Sequence, residues 1–453
     1  MNIKNIHIAY FLGIGGIGMS GLARYFNING IKVSGYDRTS TPLTMAMEAE
    51  GIKIHYNPDI SAIPANADVI VYTPAIPEDF EECEYIKQLN IPIIKRSALL
   101  AQIINNLNSI AIAGTHGKTT TSAMIAHCFE NIGMPFLGFV GGVLSKYNKN
   151  IFIHKNAEWA VAEADEYDRS FLALFPKISI VNAIDADHLD IYGRIEEMHN
   201  AFSEFMAQTS KDGTVLLFDE IDKTKLNITN NTVFYGFSNK KGYSARNIEI
   251  NSGQFVFDIY LDNNLLIEGI HQSVAGRHNI QNAMAAFAAM HIAGHKSNEI
   301  AGALECFPGV KRRMELIAKN DKIIFYDDYA HHPAEIDALI DTMRELYPDK
   351  TITGLFQPHL YTRTKDFGEE FGKSLQKFDI PVITDIYPAR EKPIPGIDAT
   401  WLLSTIANNR KKYLPFDKIP DIVDLCEDGI LITIGAGNID RFVETIKKRV
   451  ENK

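Results

Sequence analysis

The sequence predicts an α/β protein of three domains, each organised around a largely parallel sheet, and three observations carry that prediction. The chain has 453 residues, more than one hydrophobic core accommodates, so two or three domains are expected. Short apolar runs alternate with amphipathic stretches along its length, the pattern of strand–helix–strand units. Two of the apolar runs lead directly into glycine-rich loops of the kind that turn a strand into a helix.

Taken in order, residues 1–106 form a first, Rossmann-like domain with strands expected at 6–12, 32–35 and 69–72. The Asn-rich stretch 105–108 reads as a linker. Residues 107–308 form a central α/β domain. It opens with a strand at 109–113 and a helix at 119–130, followed by strands at 159–162, 178–184 and 214–218. Alternating patterns over 232–267 predict an antiparallel extension, and the Ala-rich stretch 282–293 predicts a helix. Residues 309–453 repeat the α/β rhythm, with strands expected at 322–326, 351–356, 381–386 and 429–434. Two of these end in polar clusters, DDYAHHP at 327–333 and QPH at 357–359. Ligands of open parallel sheets sit beyond the strand carboxyl ends, so both clusters are functional candidates.

Composition narrows the class. At 46% hydrophobic and 22% charged residues the chain is globular in character. No apolar run approaches the roughly 20 residues that span a bilayer, so no membrane insertion is expected. The first apolar run ends in a glycine loop, which suits a buried strand better than a signal peptide, and a cytoplasmic protein is expected. Cys83, Cys128, Cys306 and Cys426 are too far apart for a zinc site or a disulfide framework, so buried thiols in a reducing compartment are expected. A formal net charge of −11 excludes a nucleic-acid binder that works by general attraction. Polyanionic ligands must then be met by local devices: helix N-termini, a few Lys or Arg, and metal ions. Monomer and homodimer both remain open.

The first loop, Gly13-Ile14-Gly15-Gly16-Ile17-Gly18, matches G-x-G-x-x-G after a strand, with Asp37 at the end of the second strand. That pattern binds a pyrophosphate, which a nicotinamide dinucleotide and a UDP-sugar both carry. The second loop runs Gly114, Thr115, His116, Gly117, Lys118, Thr119, Thr120 between a strand and a helix. Its amides and helix N-terminus suit phosphates, Lys118 suits the β/γ-phosphates, and the Thr119 hydroxyl suits Mg²⁺. It is a shortened variant, with Ile112 where G-x-x-x-x-G-K-[ST] has its first glycine. Lys118 is expected to face the ligand rather than the core. A second phosphate loop weakens a hydride-transfer reading, because that chemistry has no need of ATP.

The motifs GIGGIGMS (13–20), GTHGKTTT (114–121), EADE (163–166), ADHLD (186–190), GRHN (276–279) with Asn282, KRRME (311–315), DDYAHHP, QPHLYTRT (357–364) and GAGN (435–438) occur in an order and spacing that resembles the Mur ligase family over the whole chain. GIGGIGMS, DDYAHHP and QPHxYxRT resemble the alanine-adding member most. The relative that adds recycled tripeptide is the alternative. The resemblance implies an ATP- and Mg²⁺-dependent ligation of L-alanine to the lactyl carboxylate of UDP-N-acetylmuramate through an acyl phosphate, in peptidoglycan precursor synthesis. It also implies a C-terminal domain that closes over the site.

Residue by residue, the resemblance assigns Gly13, Gly15, Gly16, Gly18, Met19, Ser20 and Asp37 to the UDP-sugar. Thr119 and Glu163 are expected to hold Mg²⁺, and His188 a second metal as a neutral imidazole. Asn279 and Asn282 are expected at the adenine or ribose. Arg313 is expected as an in-chain arginine finger, and Asp328 to fix its partners or the ribose. His331, His332, His359 and Arg363 are expected to line the amino-acid pocket. Simpler readings stand beside these: a turn cap for Glu163, a structural His188, N-capping by the asparagines, a surface ion pair for Arg313 and Asp328, and a helix cap before Pro333 for the paired histidines. Two positions depart from parts of the family. Phe202 stands where several relatives carry a carbamylated lysine, so none is predicted. Leu360 stands where some carry arginine after the QPH histidine, which leaves more of any anion binding to Arg363.

Overall fold

The computed structural model describes residues 3–77, 79–185, 189–229, 231–237, 241–389 and 391–453. Three sheets organise them. The first contains β1 (Ile8–Leu12), β2 (Lys32–Tyr36), β3 (Lys53–His55), β4 (Val69–Tyr72) and β5 (Ile93–Lys95) in the order β3-β2-β1-β4-β5. Every neighbouring pair is parallel. The chain winds outward from β1 through β2 and β3, then returns to the other side for β4. The loop after β1 therefore opens at the reversal point, where parallel sheets leave a crevice.

The central sheet contains β6 (Asn108–Ala113), β7 (Phe136–Leu144), β8 (Lys149–Ile153), β9 (Trp159–Glu163), β10 (Ile178–Val181), β11 (Thr214–Phe218), β12 (Thr232–Gly236), β13 (Tyr243–Asn251), β14 (Gln254–Leu261) and β15 (Asn264–His271). Its order is β15-β14-β13-β12-β11-β10-β6-β9-β7-β8. Here β6 is flanked by β9 and β10, both parallel to it, so the second glycine loop also leaves a reversal point. The antiparallel extension begins later than expected, because β12 runs parallel to β11 and to β13. From β13 onward, two-residue turns with positive φ at Ser252-Gly253 and Asp262-Asn263 make hairpins.

The third sheet contains β16 (Glu315–Lys319), β17 (Ile323–Asp328), β18 (Ile352–Phe356), β19 (Ile380–Ile383), β20 (Lys412–Tyr413) and β21 (Gly429–Ile434), in the order β16-β17-β21-β18-β19-β20. Its central strands β17, β21 and β18 are parallel and buried throughout, which is why each reads as a continuous apolar run. Phe325, Leu355, Val382 and Leu431 form the core on one side.

Packing divides the chain into two compact units. One comprises Met1–Arg246, Asp258–Ile270 and Gln281–Phe307; the other comprises Asn247–Phe257, His271–Ile280 and Pro308–Lys453. Within the first unit the helix Ile17–Ile28 lies against β7 and β8. Tyr25 meets Phe139 edge-on at 6.1 Å, and Asn150 donates to the Ile17 carbonyl at 3.0 Å.

The Asn-rich stretch is not a loose linker. The helix Arg96–Ile104 ends just before it, and Asn108 already belongs to β6. Asn105 donates to the Ala173 carbonyl at 3.0 Å and accepts from the Phe175 amide at 3.1 Å, so the bend is held by its own amide side chain. The cysteines are all free thiols, but only Cys128 and Cys426 are buried, while Cys306 is exposed. Among the described residues no helix is long and apolar enough to cross a membrane.

Candidate active site

The loop at 114–120 follows directly from backbone constraints. Gly114 has φ +134°, and a Cβ there would lie 2.9 Å from the Ala183 amide nitrogen. Gly117 has φ +80° and caps the helix Lys118–Ile132; its Cβ would lie 2.4 Å from Asn282 Oδ1. Only glycine fits either position. Thr115 donates to the Ala183 carbonyl through its amide and to Asp185 through its hydroxyl, and His116 Nε2 lies 3.4 Å from the same carboxylate.

Lys118, expected to face the ligand rather than the core, is part-buried, with 17% of its side chain exposed. Its ammonium donates to the Gly114 carbonyl at 2.6 Å and to both carboxylate oxygens of Glu166 at 2.8 Å. Burial pulls the Lys118 pKa down, but the Glu166 and Asp165 carboxylates outweigh it, and the net shift is upward. Glu166 is itself fully buried. It lies within the EADE motif, which marks the segment but not the side chain that reaches the lysine.

Glu163 ends β9 and accepts from the Gly141 amide at 2.7 Å and the Ser122 hydroxyl at 3.3 Å. Ser122 also donates to the Thr119 carbonyl at 3.0 Å, so Glu163 stands over the first turn of the helix that carries Thr119. The donors here are a hydroxyl and a carboxylate. Such a hard-oxygen set suits Mg²⁺, which takes few protein ligands and completes its shell with phosphates and water. Among the described residues no group of three or more His, Cys, Asp or Glu gathers to hold a metal by itself. His188 lies outside the described residues. Phe202 is fully buried against Phe171, with ring centroids 5.3 Å apart.

Beneath the 114–120 loop runs a buried polar chain missed by sequence reasoning. The Tyr235 hydroxyl donates to Asn182 Oδ1 at 2.7 Å, Asn182 Nδ2 donates to the Thr121 hydroxyl at 3.0 Å, and that hydroxyl donates to Asn282 Oδ1 at 3.1 Å. Asn282 thus packs under the loop. Asn279 is also buried and donates to the Ala275 carbonyl at 2.7 Å. The helix carrying both residues starts at Arg277, so neither is its N-cap.

The N-terminal loop is built in a similar way. The Gly13 and Ile14 amides both donate to the Tyr36 carbonyl at 2.9 Å, and Gly13 has φ +85°. Asp37 accepts from the Gly15 amide at 2.8 Å and the Thr39 amide at 3.1 Å, so its carboxylate braces the loop. Gly16 caps the helix Ile17–Ile28. Met19 and Ser20 require a correction. Both side chains are buried, and the Ser20 hydroxyl donates to the Ile17 carbonyl at 2.9 Å, because their positions on the helix face the core. Arg96 was missed: a Cβ on Gly18 would lie 2.6 Å from its Nη1, and its Nη2 lies 3.5 Å from Asp165.

The C-terminal motifs converge at the carboxyl ends of β17, β21 and β18. Asp328 is buried and accepts from the Met314 amide at 2.7 Å and the Ala330 amide at 2.8 Å. It is therefore a brace for the turn around Arg313 rather than half of a surface ion pair. The guanidinium groups of Arg312 and Arg313 lie 5.0 and 4.8 Å from the centroid of the Tyr329 ring. Arg312 donates to the Gly435 and Gly437 carbonyls, tying KRRME to GAGN. Gln357 donates to Asn438 at 2.9 Å, tying QPH to the same loop.

The histidines separate into two roles. His331 Nδ1 donates to the Tyr329 carbonyl at 3.0 Å, its ring lies 6.3 Å from that of His359, and His359 stacks on Tyr387 at 5.7 Å. Burial lowers the His331 pKa, and Glu335 opposes the shift. Arg363 also contributes to that lowering, so its charge acts on His331. His332 caps the helix Pro333–Leu346, accepting from the Ala334 amide at 3.4 Å, and its ring packs on Phe367 at 4.9 Å. His332 thus fills the capping role that stood beside its assignment to the amino-acid pocket. His278 was missed, and burial pushes it down to about 4.

Asp327 links this cluster to pH. Burial pushes its carboxyl up to about 7, against Arg312 Nε at 3.7 Å and the Thr433 hydroxyl at 2.6 Å. A carboxyl harder to ionise in the fold than in the unfolded chain stabilises most at low pH. That contribution is lost as pH rises from about 4 to about 7. Asp327→Asn is therefore expected to gain Tm relative to wild type across that window, measured by calorimetry. A constant Tm difference between the two proteins would contradict this.

Comparison with known proteins places the chain in a class. The Mur ligase family catalytic domain matches residues 8–107, the Mur ligase middle domain residues 112–290, and the Mur ligase glutamate ligase domain residues 312–437. The chain belongs to the Mur ligase family. More particularly, a relative from Cytophaga hutchinsonii named UDP-N-acetylmuramate–L-alanine ligase is 42% identical over 465 residues, covering 100% of this chain and 99% of that protein. A Christiangramia forsetii protein of the same name is 40% identical, covering 99% and 98%. Among solved structures, the UDP-N-acetylmuramate-alanine ligase of Thermotoga maritima superposes with a TM-score of 0.83 at 26% identity, covering 98% of this chain and 99% of that one. The murein peptide ligase of Psychrobacter arcticus shares the fold at a TM-score of 0.72 and 23% identity, covering 98% of each chain.

Proposed function

We propose that this chain is an ATP-dependent ligase that joins L-alanine to the lactyl carboxylate of UDP-N-acetylmuramate, a step in peptidoglycan precursor synthesis. The observation that carries the proposal is the phosphate loop at the reversal point of the central sheet, with Lys118 in it and Glu163 over its helix. Whole-length likeness to relatives bearing the alanine ligase name supports the choice of substrates.

In the proposed reaction a lactyl carboxylate oxygen attacks the γ-phosphorus of ATP, and the β,γ-bridging oxygen leaves with ADP. The amine of L-alanine then attacks the acyl carbon of the resulting acyl phosphate, loses a proton, and expels phosphate. Both steps bring anions together, so the protein's contribution is charge neutralisation and alignment. Lys118 and the amides of 114–120 serve the triphosphate. Thr119 and Glu163 would hold Mg²⁺, which supplies further neutralisation of phosphate charge, and a role in metal binding is kept for His188. Arg313 is the proposed source of positive charge for the transferring phosphoryl group. The amides of the 13–18 loop, with Asp37 as its brace, serve the diphosphate of the UDP-sugar. His331, His359 and Arg363 are proposed to receive the amino acid. Asn279 and Asn282 are proposed near the nucleoside, with Asn282 acting through the loop it supports.

The test is phosphate release from ATP with Mg²⁺ and UDP-N-acetylmuramate, with amino acids supplied one at a time. Release dependent on L-alanine is expected. Release with a cell-wall tripeptide but not with free alanine would move the chain to the recycling relative.

A further inference from the structure

The three N–H donors of the Lys118 ammonium match three acceptors: the Gly114 carbonyl at 2.6 Å and the two Glu166 oxygens at 2.8 Å each. A lysine so saturated has no donor to spare for a phosphate oxygen. To serve a triphosphate it must exchange at least one of these bonds, and the Gly114 carbonyl belongs to the loop itself. Glu166 is the exchangeable partner. Its backbone is anchored, since its carbonyl accepts from the Tyr192 hydroxyl at 2.7 Å and from the Arg169 amide at 3.0 Å. Exchange is then confined to the side chain.

We infer that Glu166 is a built-in counter-ion that stands in for nucleotide phosphate on Lys118 and yields the ammonium when the triphosphate binds. The reading rests on the assignment of the 114–120 loop to ATP and adds a positioning residue that acts through the lysine. Two physical consequences have the same sign. A part-buried ammonium without its partner is costly, so the carboxylate stabilises the protein before nucleotide arrives. The same carboxylate, left near incoming phosphates, repels them. Glu166 therefore trades nucleotide affinity for stability. Asp165 adds negative potential at the same lysine and reinforces the effect.

The experiment compares wild type, Glu166→Gln and Glu166→Asp, reading the Kd for ATP with Mg²⁺ and the Tm with and without it. Glu166→Gln is expected to bind ATP about tenfold more tightly, within the ordinary range for coupled sites. It is also expected to melt at lower temperature alone and to recover more Tm on adding ATP than wild type does. Glu166→Asp, which keeps the charge, is expected to stay near wild type. A purely structural Glu166 would lower Tm without tightening ATP binding. Equal or weaker ATP binding by folded Glu166→Gln overturns the proposal. If that variant does not fold alone, refolding in the presence of ATP and Mg²⁺ is the expected result, and failure to recover is the overturning one. Wild-type protein that binds no ATP would instead sink the phosphate-loop reading itself.

Discussion

Replacing Lys118 by alanine is expected to lower kcat by a factor on the order of 10³, the scale for removing one preorganised charge from a transition state. The same change is expected to lower stability, because it leaves the Glu166 carboxylate buried without the ammonium that holds it. Breaking a buried pair from one side costs about 3 kcal/mol. The two effects separate in the double variant Lys118→Ala/Glu166→Gln, which is expected to regain most of the lost Tm and none of the activity. Phosphate release and calorimetry on the three proteins read both quantities. Residual turnover within tenfold of wild type in Lys118→Ala would remove the lysine from the proposed mechanism.

Arg313→Ala is expected to lower kcat by a comparable factor, on the order of 10³, with a small change in KM for ATP. Arg313 is held by the turn it sits in. Its neighbour Arg312 has φ +61° and Met314 has φ +47°, and Asp328 accepts from the Met314 amide to keep that turn in place. Tyr329 supports the guanidinium from below at 4.8 Å. Arg313→Lys is expected to recover only part of the rate, because an ammonium neither stacks as a plane nor forks toward two oxygens. Arg312→Ala differs in kind. It removes the bonds to the Gly435 and Gly437 carbonyls and is expected to lower Tm as well as kcat. A kcat for Arg313→Ala within tenfold of wild type would assign the phosphoryl charge to another group.

Much of the architecture was legible from local rules. The strands at 69–72, 214–218 and 429–434 were read with the bounds the structure has, because a strand buried on both faces is a continuous apolar run. Both glycine loops were legible because Gly13, Gly114 and Gly117 hold positive φ, a conformation other residues rarely adopt. The misreadings have physical causes too. Asn105 looked like linker composition, yet its amide hydrogen-bonds the backbone at both Ala173 and Phe175, far along the chain. Met19 and Ser20 continue a loop motif in sequence, but by then the backbone is helical and its period turns them inward.

The sequence by itself determined the three sheets, the positions of the two glycine-rich loops and the family, since each depends on spacing along the chain and on what a single backbone position tolerates. Tertiary structure alone decided the partners. That Lys118 meets Glu166 and that Asn282 meets Thr121 both depend on segments far apart in sequence lying side by side. Burial then strengthens each of those meetings, because a charge or amide removed from water must find its counterpart within the protein.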